Sequence, residues 1–508
     1  MGHLIRQLLQ LAGVLLIGVA SAQSEAPADY VIRAENPDSL RIPEPEMPDL
    51  SGFTTEAVKQ RIPRGARGYA EIVRMVDLQA FDEFVGGDER LAVWAMRQRT
   101  NPVVIVLRGG LMTPADIAEA VPQEQFARQS GGVYVARLPI LVSQTATLLV
   151  DGRTRDLRLS QEAGAFLVND GKLFLVETKL SGWSESRDAP ARYEHESEFR
   201  PFLLSWGGTE TYVADTVVRS LGYAASKSYG FSISQYSPAM HHIMQREEPT
   251  GWLIGSTFDD MHYGFYCYEA NDVVIVGNTY KNNIVYGIDP HDRSERLIIA
   301  RNTAYGTKKK HGIIISREVN NSYLFENESY DNKLSGMMLD RQSVNNIVAF
   351  NKVHGNGADG ITIYESPDNL LWSNESIGNG NHGYRVRNST GVKLYHNRAI
   401  NNRYTGINGH TKVLADDARD LELDPYDTKI SMVVVGGRLV HNGGGPIAID
   451  EPVSVELYGV DMVAPANESG VSLSGVLGEH LYQVLDLMVR QKKAVVIEPG
   501  NIQREVDG

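Results

Sequence analysis

The chain has 508 residues, 42% hydrophobic and 22% charged, with 49 basic against 63 acidic side chains and a formal net charge of −14. That length exceeds one ordinary globular core, so several domains or a repeat array are expected. The acidic total excludes a general nucleic-acid binder, while local basic strips could still hold an anionic ligand.

Residues 1–22 read as a secretory signal. Arg6 supplies the positive charge, Leu8 to Val19 the apolar run, and Ala20-Ser21-Ala22 a small-residue site with cleavage after Ala22. The apolar run is shorter than the ~18–20 residues of a spanning helix, and no later segment is apolar enough to cross a membrane. Residues 23–130 are expected to form an N-terminal arm and cap. Within them, 23 to about 60 is rich in proline and acidic groups and reads as an extended arm or as disordered, and a helix is expected over Pro114 to Phe126. The single cysteine, Cys267, rules out an intramolecular disulfide, so an exported chain of this size must be held by its core.

Residues 131–470 are expected to form an all-β, right-handed parallel β-helix, clearest over 264–409. Strand-rich residues Val133 to Glu177 supply its first coils. One column of glycines, Gly264, Gly287, Gly312, Gly336, Gly360, Gly383 and Gly406, recurs every 23 to 25 residues. A second column, Asn278, Asn302, Asn327, Asn351, Asn374 and Asn397, follows the first six glycines by 14 or 15 residues. Units this short cannot bury their own apolar faces, so they must stack at about 4.8 Å per coil. Leucine-rich repeats of similar period need a regular L-x-x-L-x-L signature, which is absent. The asparagines are expected to form a hydrogen-bonded ladder, and the glycines to occupy turns needing φ > 0 or places of close backbone approach. An excursion over Pro238 to Thr250 reads as a lid over the adjacent coil. His410 to Thr428 is an acidic insertion. Residues 471–508 should form a C-terminal helical cap and tail, with Leu481, Val484, Leu485 and Met488 on one face.

Strand alternation sorts the side chains. One and three residues after each glycine, positions such as Phe265, Cys267, Ile313 and Ile315 are apolar and face the interior, so Cys267 reads as a structural thiol. The alternate positions and the corner after them carry Tyr268, Asp289, His291, Asp292, Arg317, Asp340, Arg341, Tyr364, Arg385 and Arg387. Arginines and tyrosines in such a strip suit a long acidic sugar chain, because guanidinium groups pair with its carboxylates and rings stack on its pyranose faces. A solvated polar face is the plainer alternative. Asp289-Pro290-His291-Asp292 argues against it: two carboxylates bracket a histidine that titrates near neutrality, and proline gives up a ladder hydrogen bond. One histidine and two aspartates could bind a metal, but neighbours on alternating faces converge poorly, so no metal or cofactor is assigned. A similar string, Asp424-Pro425-Tyr426-Asp427, lacks the histidine, sits outside the register and reads as loop.

With Asn283-Ile284-Val285-Tyr286-Gly287-Ile288 before that motif, and His311 to Arg317 and Leu334-Ser335-Gly336 after it, the chain resembles the periplasmic mannuronan C5-epimerases of bacterial alginate biosynthesis. The resemblance spans the repeat and most of the exported chain. It implies a right-handed β-helix in the periplasm that converts β-D-mannuronate to α-L-guluronate within the polymer. It further implies His291 as general base and Arg317 as the cation that neutralises the sugar carboxylate; the chemistry of the motif itself suggests Asp289 or Asp292 as the group that holds the base. A polymannuronate or alginate chain is the expected partner, along with other proteins of a periplasmic secretion complex. No calcium-binding nonapeptide array is present. A lyase working by β-elimination would start from the same carbanion, and a non-catalytic polysaccharide-binding component of an export complex would use the same arginine strip.

Overall fold

The computed structural model describes residues 29–500, apart from 41, 82–101, 226, 237–244, 415–419, 423, 467 and 469. The signal segment, the centre of the expected lid excursion and part of the acidic insertion therefore lie outside the described residues. The chain winds as a right-handed parallel β-helix whose coils contribute one strand each to three long sheets. In the coil that carries the Asp-Pro-His-Asp motif, Tyr286–His291 belongs to sheet 1, Ile298–Ala300 to sheet 2 and Thr303–Tyr305 to sheet 3. Each pairs in parallel with its equivalent one coil on.

The interior follows the expected alternation. Cys267, Ile288, Ile313, Ile315, Met337, Leu339, Ile361, Ile363 and Val386 are fully buried along the axis. Tyr384 joins them because its hydroxyl proton is shared between Asn374 O (2.7 Å) and Arg398 O (3.1 Å), so this buried phenol is not left unpaired. The asparagine ladder forms as expected: each Nδ2 from Asn278 to Asn374 donates to the Oδ1 of the next column residue at 2.9–3.1 Å. A second ladder runs beside it through Asn332, Asn356, Asn379, Asn402 and Asn442. The spacing carried the signal of the first four, which follow Asn327, Asn351, Asn374 and Asn397 by five residues.

Four boundaries differ from expectation. The parallel stack begins before residue 131, because Val103–Arg108 already pairs in parallel with Ile140–Val142. It also continues past 470, where Ser474 and Gly475 pair with Ala448 and Ile449. The helix starting at Pro114 stops at Ala120, after a capping box between Thr113 and Asp116, and Phe126 opens a strand. At the other end, Leu481, Val484, Leu487 and Met488 pack on the core, with Leu487 in place of Leu485 because the last turn, Asp486–Arg490, widens to a π-helix. Strand Ala494–Pro499 then closes sheet 2 in antiparallel sense.

The described part of the proline-rich arm, from residue 29 on, runs the length of the stack. Tyr30–Glu35 pairs antiparallel with Ala494–Pro499 at the C-terminal end. Ile42, Met47, Leu50 and Phe53 then cover Phe325, Ala349, Trp372 and Tyr395 on the outer face of sheet 2. Helix Thr55–Arg61 follows, with Arg61 over the Trp252 ring at 4.0 Å, and Tyr69–Arg74 pairs with Val103–Arg108 at the N-terminal end. Of the two readings of its composition, the extended arm fits the described residues, because the few apolar side chains recur where sheet 2 offers an apolar face. Sheet 1 carries the clefts.

Candidate active site

The strand Tyr286–His291 sits between Tyr263–Tyr268 and Ile313–Ser316 in sheet 1. Proline has no N–H, and the ladder to the next coil is made at Ile288 and His291 but not at the two residues between. After each strand the chain turns through a left-handed residue: φ is 37° at Asp292, 62° at Arg317 and 54° at Arg341. Such conformations are costly for residues with a Cβ and persist where the surroundings fix them. Here the fixing is done by backbone bonds along the corner, Arg317 N to Asp340 O (3.1 Å) and Arg341 N to Tyr364 O (3.0 Å). The corners stack one acidic and two basic side chains beside the ends of the strands.

His291 Nδ1 and Asp292 Oδ2 form a short hydrogen bond. With the carboxylate accepting the Nδ1 proton, Nε2 is the ring atom left to take another. Burial disfavours the imidazolium, but the Asp292 bond and the charges of Asp289 and Asp292 outweigh it, and the pKa of His291 is raised above its usual 6.5. Burial works against ionisation of Asp292 too, yet His291, Arg317 and Arg293 bring it below the carboxylate range. Asp289 behaves differently. It is 2% exposed, its Oδ1 has no hydrogen-bond partner, and burial lifts its pKa to about 7. Of the two aspartates expected to hold His291, Asp292 does so.

Two clefts flank this pair. The first, about 260 Å³, is walled by Tyr229, Tyr263, Tyr266 and Tyr286, and contains Asp289, His291, Lys310, Asp340 and Arg341. Burial raises the pKa of Tyr263, Tyr266 and Tyr286, so these phenols keep their protons at neutral pH. Lys310 Nζ donates to the Tyr286 hydroxyl at 3.1 Å. The second cleft, about 270 Å³, is lined by Tyr268, Asp292, Arg293, Arg317, Arg341 and Asp424 among others. Arg317 stands between the pair and this cleft, with Nη1 3.6 Å from Asp292 Oδ1 and Nη2 2.8 Å from Asp424 Oδ2.

Asp289, His291, Asp292, Arg317, Asp340, Arg341 and Tyr268 are thus brought together. Tyr364, Arg385 and Arg387 lie on the coils beyond. Arg387 is engaged by the buried Glu365 at 2.8 and 3.2 Å and stacks over Tyr364 at 3.6 Å, so its cation is already matched. Arg385 lies 3.9 Å from Asp359, and its Nε has no hydrogen-bond partner. The Asp-Pro-Tyr-Asp string is loop, as expected, yet Asp424 is buried and pairs with both Arg317 and Arg341. Its only sequence signal was the Asp-Pro-Tyr-Asp likeness. Tyr286 stood in the stretch before the Asp-Pro-His-Asp motif, and Tyr266 falls on an outward position of the same alternation, whereas Tyr229, Tyr263 and Lys310 carried no signal beyond residue type. Among the described residues, no group of three His, Cys, Asp or Glu side chains is placed to hold a metal.

Fold and cleft together define a class: a β-helix furnished for proton transfer on an acidic, ring-shaped ligand. Residues 225–413 match the family model described as periplasmic copper-binding protein (NosD). The mannuronan C5-epimerase of Pseudomonas putida is 53% identical over 512 residues, covering 99% of both chains. That of Azotobacter vinelandii, mannuronan C5-epimerase AlgG, is 51% identical over 502 residues, covering 96% of this chain and 95% of that one. The crystal structure of the periplasmic alginate epimerase AlgG superposes with a TM-score of 0.82 at 53% identity, covering 83% of this chain and all of that one. The chain belongs to the mannuronan C5-epimerase family.

Proposed function

We infer that this chain epimerises β-D-mannuronate to α-L-guluronate at C5 within polymannuronate, with His291 as base and Arg317 as the counter-cation of the uronate carboxylate. The activity is that of its family. The residue assignment is carried by one observation: the His291–Asp292 pair opens between two clefts with Arg317 one coil away. The C5 proton is weakly acidic because it lies beside an anion. Nε2 of His291 takes it, and the C5–H electron pair moves into the carboxylate, which becomes enediolate-like. Arg317 faces the charge that accumulates on its oxygens. A proton returned to C5 from the other face inverts the centre, and breakage of the C4–O bond is not required. Asp292 holds the imidazole tautomer and offsets its charge once protonated. Tyr268, Asp340 and Arg341 would contact the same sugar or its neighbours, and Tyr364, Arg385 and Arg387 a stretch of chain farther along sheet 1.

No observation favours β-elimination. Among the described residues no helix is long and apolar enough to cross a membrane, and the likeness to periplasmic AlgG supports a periplasmic location. The same reading includes cleavage after Ala22, testable by N-terminal sequencing of the exported protein. It also includes contacts with other proteins of a periplasmic alginate secretion complex, testable by cross-linking in cells. The decisive experiment is NMR of polymannuronate treated in deuterated water. Deuterium at inverted C5 centres without unsaturated ends is expected, and neither should arise with His291→Ala. Full turnover by that variant would remove His291 from the role.

A further inference from the structure

We infer that Asp424, carried on the insertion outside the repeat, is a positioning residue that sets Arg317 and, through it, the His291–Asp292 pair. The inference rests on the proposed roles of His291 and Arg317. The insertion leaves sheet 1 at His410, and Asp424 returns to meet Arg317 four coils upstream and Arg341 three coils upstream. Arg317 and Arg341 occupy equivalent corners on adjacent coils, so their guanidinium groups would repel at about 4.8 Å spacing. Asp424 Oδ2 lies between them, 2.8 Å from Arg317 Nη2 and 3.3 Å from Arg341 Nη1, and its side chain is 5% exposed.

The contact closes a ring of alternating charge around the site. From His291 it passes through Asp292 to Arg317, then Asp424, then Arg341. Arg341 Nε reaches Asp340 Oδ2 at 3.3 Å, and Ser316 Oγ, beside His291 in the ladder, donates to the same oxygen at 3.3 Å. Six of the seven members come from the repeat, and Asp424 alone does not. Its segment is fixed rather than loosely placed: Gln342 Nε2 donates to Pro425 O at 2.9 Å, and Leu414 N donates to the Tyr426 hydroxyl at 2.6 Å.

Without the Asp424 charge, Arg317 has Asp292 as its remaining carboxylate partner in the ring. The guanidinium should then turn toward Asp292, away from the sugar, and its charge should bear more directly on the imidazole. His291 also faces Asp289 on its own strand, Tyr266 from the coil before, and Asp340 and Lys310 across the first cleft. Of these only Asp340 is linked to Asp424, at one remove through Arg341, so the change should act chiefly through Arg317, which touches Asp292 directly.

The test uses the full chain on polymannuronate, measuring kcat, KM and the acid limb of the kcat profile for Asp424→Asn, Asp424→Glu and Gln342→Met. Asp424→Asn should lower kcat by about tenfold or more, the scale seen when partners behind a reacting group are removed, and move the acid limb to lower pH. Asp424→Glu should recover part of the rate. Gln342→Met, which keeps the carboxylate but loosens its segment, should show a smaller loss in the same direction. Unchanged kcat in Asp424→Asn would overturn the proposal. So would a lower KM at constant kcat, which would make Asp424 a competitor of the substrate, or a rate loss with an unmoved limb and a matching fall in thermal midpoint, which would make it structural. His291→Ala measured alongside separates the readings: if that variant turns over, the base assignment fails whatever Asp424 does.

Discussion

Asn327→Ala tests whether the ladder holds Arg317 in register with His291. In the coil that bears Arg317, Asn327 Oδ1 accepts from Asn302 N and Nδ2, both at 3.0 Å, and its Nδ2 donates to Ile299 O at 2.8 Å and Asn351 Oδ1 at 3.0 Å. Truncation removes all four bonds from a site that is 1% exposed. Asn302 Nδ2 keeps its bond to Ile275 O, and Asn351 Oδ1 keeps the one from Asn327 N. The Asn302 amide loses its partner, while the Ile299 carbonyl remains in the ladder with the next coil. One group stripped and three half-stripped, at about 1–3 kcal/mol for each buried polar group left unpaired, give a cost of about 2–4 kcal/mol. Stability in a stack is a sum over neighbouring coils, so the loss should centre on this one. Urea unfolding followed by circular dichroism should show it, with faster hydrogen exchange at the Asn302 amide. The control is Lys352→Ala, whose exposed pair with Glu328 at 3.3 Å should cost under about 1 kcal/mol. If Asn327→Ala costs no more than the control, the ladder does not hold the register.

Three other outcomes follow from the site. His291 must be neutral to act as base, so kcat should rise with pH through its raised pKa, and Asp292→Asn, which removes the charge that raises it, should move that limb to lower pH. Asp289 binds its proton up to about pH 7 in the fold, against about 3.8 unfolded, so its contribution to stability falls as pH climbs between the two. Asp289→Asn should therefore raise the thermal midpoint relative to the parent more at pH 8 than at pH 4, and an equal shift at both would refute it. Gly287→Ala should cost more than about 3 kcal/mol and reduce soluble yield, since its Cβ would sit 2.4 Å from the Gly312 carbonyl oxygen. Gly378→Ala has nothing within 4 Å but a φ of +61°, and should cost only about 1–2 kcal/mol in melting experiments.

What could be read from the sequence was what repeats. The glycine and asparagine columns have a period, and a period in a chain this long gives a stack, an inside and an outside. Cys267 fell inside and Asp289, His291 and Arg317 outside for that reason alone. The arm over sheet 2 has no period. Its position depends on Phe53 and Leu50 meeting Trp252 and the Phe325 to Tyr395 column, contacts across hundreds of residues that no local pattern encodes.

The same distinction explains why the site was only half legible. Alternation sorts side chains by face, but it cannot say which outward carboxylate is dry. Asp289 and Asp292 bracket His291 symmetrically in the sequence and take opposite roles in the fold. The left-handed turn at Asp292 swings its carboxylate onto the imidazole, while Asp289 stays on the strand beneath the tyrosines and loses its water. Asp424 was further out of reach, because an insertion is by definition where the period fails. A β-helix offers rows of equivalent positions about 4.8 Å apart, and equivalence is a difficulty for catalysis, which needs one position unlike its neighbours. In this chain two departures from the repeat make the difference. Pro290 interrupts the ladder beside the proposed base, His291, and the insertion that interrupts the coil returns a carboxylate to Arg317 one coil on.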